Sequence, residues 1–371
     1  MKIGIPKEIK DHEFRVGATP SGVMALTEAG HEVLIESGAG DAIGFSDDMY
    51  RAAGAQTGSR EVVYACPMVI KVKEPQPSEY PLLWEGQVLF AYLHLAPDPQ
   101  QTRALLERKV VGIAYETVTD RHGYLPLLVP MSEVAGRLAI QAGANALHMI
   151  HGGRGVLLGG VPGVSPGRVV IVGGGIVGTQ AARMALGLGA DVTLLDVNLE
   201  RLRELDDMFG PGLKTRYSDS YSIGELLPQA DLVVGAVLIP GKQAPKLITR
   251  AHIKSMKQGA VLVDVAIDQG GCAETSRPTT HSDPTYLVDG VVHYCVANMP
   301  GAVAHTSTWA LTHATLPYAL ELANKGYRQA LQDHAGLRNG LNVHMGNVTN
   351  PCVAGDLGYD YVEPEQVLEP L

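Results

Sequence analysis

Cysteine is scarce: the 371 residues hold four, Cys66, Cys272, Cys295 and Cys352. None forms a C-x-x-C pair and no histidine stands at zinc-finger spacing from them. That argues against a structural zinc site or a disulfide framework and suits a reducing compartment. Long apolar runs are missing as well. No stretch approaches the roughly 18–20 residues of a membrane span. The N-terminus, MKIGIPKEIKDHEFR, carries a charge every few residues and lacks the apolar core of a secretory leader. Positive charge is in deficit, with 29 Lys and Arg against 39 Asp and Glu and a net charge of −10. Nucleic acid and anionic membranes are therefore poor candidate partners. Phenylalanine, at four residues, is rare, but apolar residues reach 46% and charged ones only 18%, which excludes global disorder. The expectation is a soluble, cytoplasmic protein that acts on small molecules.

Glycine, by contrast, is abundant at 43 residues, as suits an α/β protein with many tight strand–helix turns. The length predicts two domains. Short apolar runs at 2–5, 32–37, 68–72, 87–93 and 110–116 read as strands. They alternate with helical patterns at 20–30, 46–54, 59–65 and 98–108, so the sheet should be mostly parallel. After Pro126 and Pro130, the stretch 131–150 predicts a long linking helix with Ser132 as its N-cap. Its small residues Ala135, Gly136, Ala139, Ala142, Gly143 and Ala146 form a face for close packing. A Gly/Pro-rich stretch, 152–167, precedes a second strand–helix series from Arg168, with strands at 191–196, 231–237, 260–266 and 291–298. A long helical pattern follows from about 305, and then a looser tail. A terminal helix after a complete series often returns to the first domain. The expected organisation is a discontinuous domain of 1–130 and 305–371 with a Rossmann domain, 131–304, inserted.

The sharpest local signal is Gly173-Gly174-Gly175-Ile176-Val177-Gly178, with an apolar strand before it and a helix after it. This is G-x-G-x-x-G in its required setting. Gly173 permits the tight turn, Gly175 lets backbone approach a pyrophosphate, and Gly178 allows helix–strand packing. The helix N-terminus offers unpaired N–H groups to phosphates. Asp196 ends the next strand, where a carboxylate accepts ribose hydroxyls and repels a 2′-phosphate, favouring NAD over NADP. Arg201 could touch the adenosine end or stand as a solvated surface charge.

Four polar features follow predicted strands of the first domain: Arg15, Lys71 or Lys73, His94 and Glu116. Ligands of parallel sheets gather beyond the strands' carboxyl ends. Arginine offers a fork for a carboxylate, lysine a compact cation, and histidine a proton near neutral pH. Together they suit a small 2-amino or 2-oxo acid. Singly, each has a plain reading as a surface charge, a strand flank or a packed histidine. In the second domain Asp268 and Asn298 also follow strand ends.

These residues lie in GIPKEIKDHEFRV, HEVLIESGAG, VIKVKEP, YLHLA, VPMSEVAGRLA, GGRGVLLGGVPGV, DVAIDQGGCAETSRPTTH and YCVANMPGAV. Over nearly its whole length the chain resembles the L-alanine dehydrogenase family. The resemblance implies a two-domain fold, a homohexamer, and reversible NAD-dependent deamination of L-alanine to pyruvate and ammonium; the sequence itself supports no metal requirement. It implies that Arg15 and Lys73 hold the substrate, that His94 and Asp268 manage protons, and that Asn298 lies beside substrate and nicotinamide. It places Ser132 at the cofactor phosphates and Asp196 at the ribose. It implies further cofactor contacts at Val177, Arg201, Ser218, Val237, Leu238, Ile267, Asp268, Val296, Asn298 and Met299. Departures are Ala304-His305, where the family usually has Pro-Arg, and Gly17 at a variable position. A related architecture, the NAD-binding subunit of proton-translocating transhydrogenase, is the alternative. It need not retain Lys73 together with His94.

Overall fold

A computed structural model describes residues 1–237 and 244–369. The chain forms two compact units, one of Met1–Met131 with Val303–Leu371 and one of Ser132–Ala302. In chain order the strands are β1 Lys2–Ile5, β2 Glu32–Glu36, β3 Gln56–Gly58, β4 Met68–Ile70, β5 Val88–Ala91, β6 Val111–Ala114, β7 Arg168–Val172, β8 Asp191–Asp196, β9 Leu213–Tyr217, β10 Leu232–Gly235, β11 Val261–Asp264, β12 Thr285–Val288, β13 Val291–Tyr294, β14 Leu341–His344 and β15 Asn347–Val348.

In the first unit an eight-stranded sheet runs β15-β14-β6-β5-β4-β1-β2-β3. Pairing is parallel from β6 to β3, while β14 is antiparallel to both β6 and β15. Every residue of β4, β5 and β6 is buried, as expected of parallel strands covered on both faces. The order of winding reverses between β1 and β4, and such a switch point opens a crevice at the strands' carboxyl ends. The covering helices start where the sequence supplies caps. Thr19 and Asp98 each accept a backbone N–H from the first turn, with Pro20 and Pro99 next in the chain.

The second unit holds a seven-stranded sheet, β12-β13-β11-β10-β7-β8-β9, parallel except for the edge strand β12. Val169 and Ile171 of β7 join one apolar cluster and Val170 and Val172 another. Alternate side chains thus feed cores on opposite faces. Here the switch point lies between β7 and β10.

The helix linking the units runs Val129–Ala146, displaced from the predicted 131–150. Pro130 lies in its first turn, where a missing N–H costs nothing, so Ser132 is a first-turn residue and not the N-cap. A Cβ on Gly136 would lie 2.3 Å from the Val177 carbonyl oxygen, and one on Gly143 2.6 Å from a Leu232 methyl. The small residues thus serve close packing within the second unit. The tail beyond the helix Ala304–Lys325 supplies β14 and β15, neither visible as a strand in the sequence. His305 hydrogen-bonds the Ile43 carbonyl (2.7 Å) and packs on Phe45. Gly17 packs tightly as well, since a Cβ there would lie 2.6 Å from the Ile70 carbonyl oxygen.

Candidate active site

In the first unit the segments leaving β1, β4 and β5 carry Arg15, Lys73 and His94. Arg15 is 2% exposed. Its fork is held by Glu13 through Nε–Oε1 (2.7 Å) and Nη2–Oε2 (2.6 Å), and its Nη1 lies 3.1 Å from Met131 Sδ. Burial works against the charge, but Glu13 more than compensates and raises the guanidinium pKa. The arginine is thus fixed, with one edge turned away from Glu13.

Lys71 and Lys73, two positions apart, differ entirely. Lys71 is wholly buried, 3.1 Å from Glu8 and 3.2 Å from Glu79. Burial would strip its proton, yet the two carboxylates hold its pKa above the ordinary value. Lys73 is half-buried and its Nζ lies 5.9 Å from the centre of the Tyr92 ring. Its backbone N–H donates to Glu8, as does that of Val72. Lys71 is thus held between two buried carboxylates, whereas Lys73 is only half-buried.

The imidazole of His94 stacks on Tyr92, ring centres 5.8 Å apart and planes 5° apart. The Tyr92 hydroxyl donates to the Leu127 carbonyl (2.6 Å). Lys73 and His94 therefore share one aromatic ring. His94 has φ of 46°, a left-handed conformation that costs a non-glycine residue about 1–3 kcal/mol and concentrates at functional sites. Sequence reasoning passed over Tyr92, though its place two residues before His94, on the same side of an extended segment, was the available signal.

The second unit builds the Gly-rich turn as its spacing demands. Gly173 has φ of 107°. A Cβ on Gly178 would lie 1.8 Å from the Gly173 carbonyl oxygen, whereas one on Gly175 would meet nothing within 4 Å. The turn therefore opens at Gly175, ahead of the helix Ile176–Gly187. Asp196 accepts the Gly174 N–H (2.6 Å) and the Asn198 N–H (2.8 Å). Arg201 donates to the Gly174 carbonyl (2.8 Å) and Thr179 Oγ1 (2.7 Å). The solvated-charge reading of Arg201 is thus corrected: it buttresses the turn.

Asp268 is exposed, on the short 3-10 turn Val265–Gln269 closed by left-handed Gly270. The loop is anchored by fully buried Asp264. That carboxylate accepts from Ala266 N (3.1 Å), Cys272 N (2.8 Å), Ala273 N (3.1 Å) and Ser276 Oγ (2.6 Å). Asp264 lies inside an apolar strand and was not singled out from the sequence. Asn298 has φ of 65°, and its carbonyl accepts from His281 Nε2 (3.1 Å). Ser132, Val177 and Ser218 are half-buried, and Ser218 N–H donates to the Asp196 carbonyl (2.9 Å). Val237 is half-buried and Leu238 lies outside the described residues. Ile267, Val296 and Met299 are buried, the last two within the core. Among the described residues no group of His, Cys, Asp and Glu could hold a metal ion, and no helix is long and apolar enough to cross a membrane.

Residues 4–135 match the alanine dehydrogenase/PNT N-terminal domain and residues 139–351 the C-terminal domain. The chain is 57% identical over 371 residues to alanine dehydrogenase of Methanococcus maripaludis, covering 99% of this chain and 100% of that one. It is 55% identical over 370 residues to alanine dehydrogenase of Halomonas elongata, with the same coverage. A solved L-alanine dehydrogenase superposes with a TM-score of 0.94 at 52% identity, covering 96% of this chain and 99% of that one. A transhydrogenase from Sinorhizobium meliloti has the same fold at a TM-score of 0.81 but only 24% identity, over 95% of this chain and 99% of its own. The chain belongs to the alanine dehydrogenase/PNT family and stands in it with the alanine dehydrogenases.

Proposed function

We propose that the protein is an L-alanine dehydrogenase that uses NAD to convert L-alanine reversibly to pyruvate and ammonium, as a homohexamer in the cytoplasm. The observation that carries this reading is the Lys73–Tyr92–His94 cluster at strand ends of the first unit, in a chain more than half identical to alanine dehydrogenases. A non-catalytic dinucleotide-binding subunit would need no such cluster.

The Gly-rich turn fits a dinucleotide, since the space a Gly175 Cβ would fill lies open before a helix N-terminus. Gly173, Gly175, Gly178, Val177 and Ser132 would hold the pyrophosphate region, with Asp196, Arg201 and Ser218 at the adenosine end. Val237, Ile267, Asp268 and Asn298 would line the nicotinamide side. When bound, NAD supplies the hydride acceptor. Asp196 disfavours a 2′-phosphate by charge repulsion.

The chain's own residues supply positioning and proton transfer. Arg15 and Lys73 fix the substrate's carboxylate and carbonyl oxygen, which presents Cα at the ~3–3.5 Å that hydride transfer needs. His94 accepts a proton from the water that attacks the substrate iminium and returns it to the nitrogen. The C–N bond then breaks, the new hydroxyl becomes the pyruvate carbonyl, and its proton leaves with the ammonium. Asp268 is the second proton-transfer residue. In the reverse direction the same groups return the protons.

The test is NAD reduction with a panel of L-amino acids, and NADH oxidation by pyruvate with ammonium. L-alanine and pyruvate are expected to give the highest kcat/KM, with NAD far above NADP. Purified, NADH-binding protein that turns over neither would overturn the proposal.

A further inference from the structure

We infer that Glu116 is a positioning residue for His94, setting both its backbone conformation and the nitrogen it offers to substrate. The inference rests on the reading of His94 as the proton-transfer group and extends it to a residue that has no part in holding substrate.

Glu116 sits in the 3-10 turn Tyr115–Thr117 after β6, with its side chain 14% exposed. The Leu93 N–H lies 3.2 Å from each carboxylate oxygen, and the His94 N–H donates to Oε1 at 2.6 Å. The other side of the segment is held from the helix Pro99–Glu107. Buried Gln101 donates to the Leu93 carbonyl (2.9 Å), and Thr102 donates to that of Leu95 (3.0 Å). Four backbone groups around His94 are thus taken by three side chains, and between them lies the left-handed φ of 46°. A conformation that L-residues avoid persists only where its surroundings over-determine it, and Glu116 supplies the largest share of that constraint.

The same Oε1 that takes the His94 N–H lies 3.8 Å from His94 Nδ1. That is beyond a hydrogen bond, but catalytic hydrogen bonds are often long without substrate and tighten in the complex. Tyr92 fixes the plane of the imidazole, so the ring is placed by stacking and its edge by charge. A carboxylate facing Nδ1 favours the tautomer with the proton there, leaving Nε2 with its lone pair for the reacting water. Among the described residues Nε2 has no hydrogen-bond partner. Glu116 belongs to the first unit, as His94 does, so this pairing is internal to that unit.

Substitution by glutamine separates this role from simple backbone capping. A glutamine oxygen in place of Oε1 can still accept the His94 N–H, but the neutral amide lacks the negative charge that favours a proton on Nδ1. Glu116→Gln, His94→Gln, the double variant and Glu116→Asp should be compared in kcat, KM for pyruvate, NADH affinity and melting temperature. Glu116→Gln is expected to lower kcat by about tenfold or more, as loss of the orienting carboxylate does for a catalytic histidine. KM and NADH affinity should be nearly unchanged, and Glu116→Asp should recover part of the rate. In the His94→Gln background the Glu116→Gln loss should vanish, because the two groups act as one.

An unchanged kcat in Glu116→Gln, with His94→Gln inactive, overturns the positioning role and leaves the histidine's own role standing. An unchanged kcat in His94→Gln removes both. An equal loss with and without His94 means that Glu116 acts on folding alone. Should the glutamine variant fail to fold, nitrogen NMR of isotopically labelled histidine in the unmodified protein decides. A neutral His94 protonated at Nδ1 supports the assignment and one protonated at Nε2 refutes it.

Discussion

At the scale of single residues, the lysines of VIKVKEP separate stability from chemistry. Lys71 lies 3.1 Å from Glu8 and 3.2 Å from Glu79, so Lys71→Met strips two buried carboxylates of the cation they share. The expected loss is about 3–5 kcal/mol, the usual result of breaking a buried pair from one side, seen as a large drop in melting temperature. Lys73→Met should do the reverse. It should melt near the unmodified protein and still bind NADH, but lose most of its kcat/KM in both directions. Thermal melts with steady-state kinetics on both variants check this, and a Lys73→Met with normal turnover would reduce that lysine to a strand flank. Lys73 and His94 stand out in the sequence as polar types close behind apolar strands, and Arg15 in the segment that follows the first strand. Distant partners do not. Glu8 beside Lys71 and Glu116 beside His94 become neighbours only through the fold, and no spacing rule links Glu8 to a lysine so far along the chain.

At the scale of elements, the buried central strands could be read from composition alone, because a parallel strand covered on both faces is apolar throughout. The edges could not. Leu213–Tyr217 buries one residue of five, and Leu341–His344, LNVH, is half polar and pairs with β6 across more than 200 residues of chain. That last strand carries a testable consequence. His344 is 4% exposed and hydrogen-bonds the Tyr327 hydroxyl (3.2 Å). Burial first, and then Arg328, lower its pKa from 6.5 to about 4. The unfolded chain takes up this proton near pH 6.5 and the folded one only near pH 4, so the unfolded state binds more protons in between. The contribution to stability is complete above pH 6.5 and is lost as the pH falls through 4. Melting temperatures across this range should fall more steeply for the unmodified protein than for His344→Gln. Parallel curves would show that protonation of this histidine does not weaken the strand.

For the whole molecule, two complete strand–helix series and a returning terminal helix made the inserted architecture legible, although the two strands that the tail adds to the first sheet were hidden. A net charge of −10 opposes self-association, but it decides the outcome only where no apolar surface works the other way. Residues 149–167 form such a surface in the second unit. Met149, Ile150, Leu157, Val161 and Val164 are 54–86% exposed, and Arg154, the single Lys, Arg, Asp or Glu of that stretch, is turned to Asp231 in an ion pair. The segment is ordered by internal bonds, among them Gly155 N–H to the Leu147 carbonyl and Gly167 N–H to that of Leu158. These five apolar side chains thus stay outside, while Leu158 of the same segment packs into the core. Exposed apolar side chains concentrated in one segment are a feature of interaction sites, which agrees with the proposed homohexamer. Light scattering should return a mass near six chains, and the pair Ile150→Glu with Val164→Glu should lower it while leaving NADH binding per chain intact. Carboxylates introduced there would have to be desolvated in an interface, at a cost no partner charge in the stretch can repay. A hexamer unmoved by both changes would place assembly on a different face, and an unmodified protein that is monomeric in dilute buffer would refute the hexamer itself.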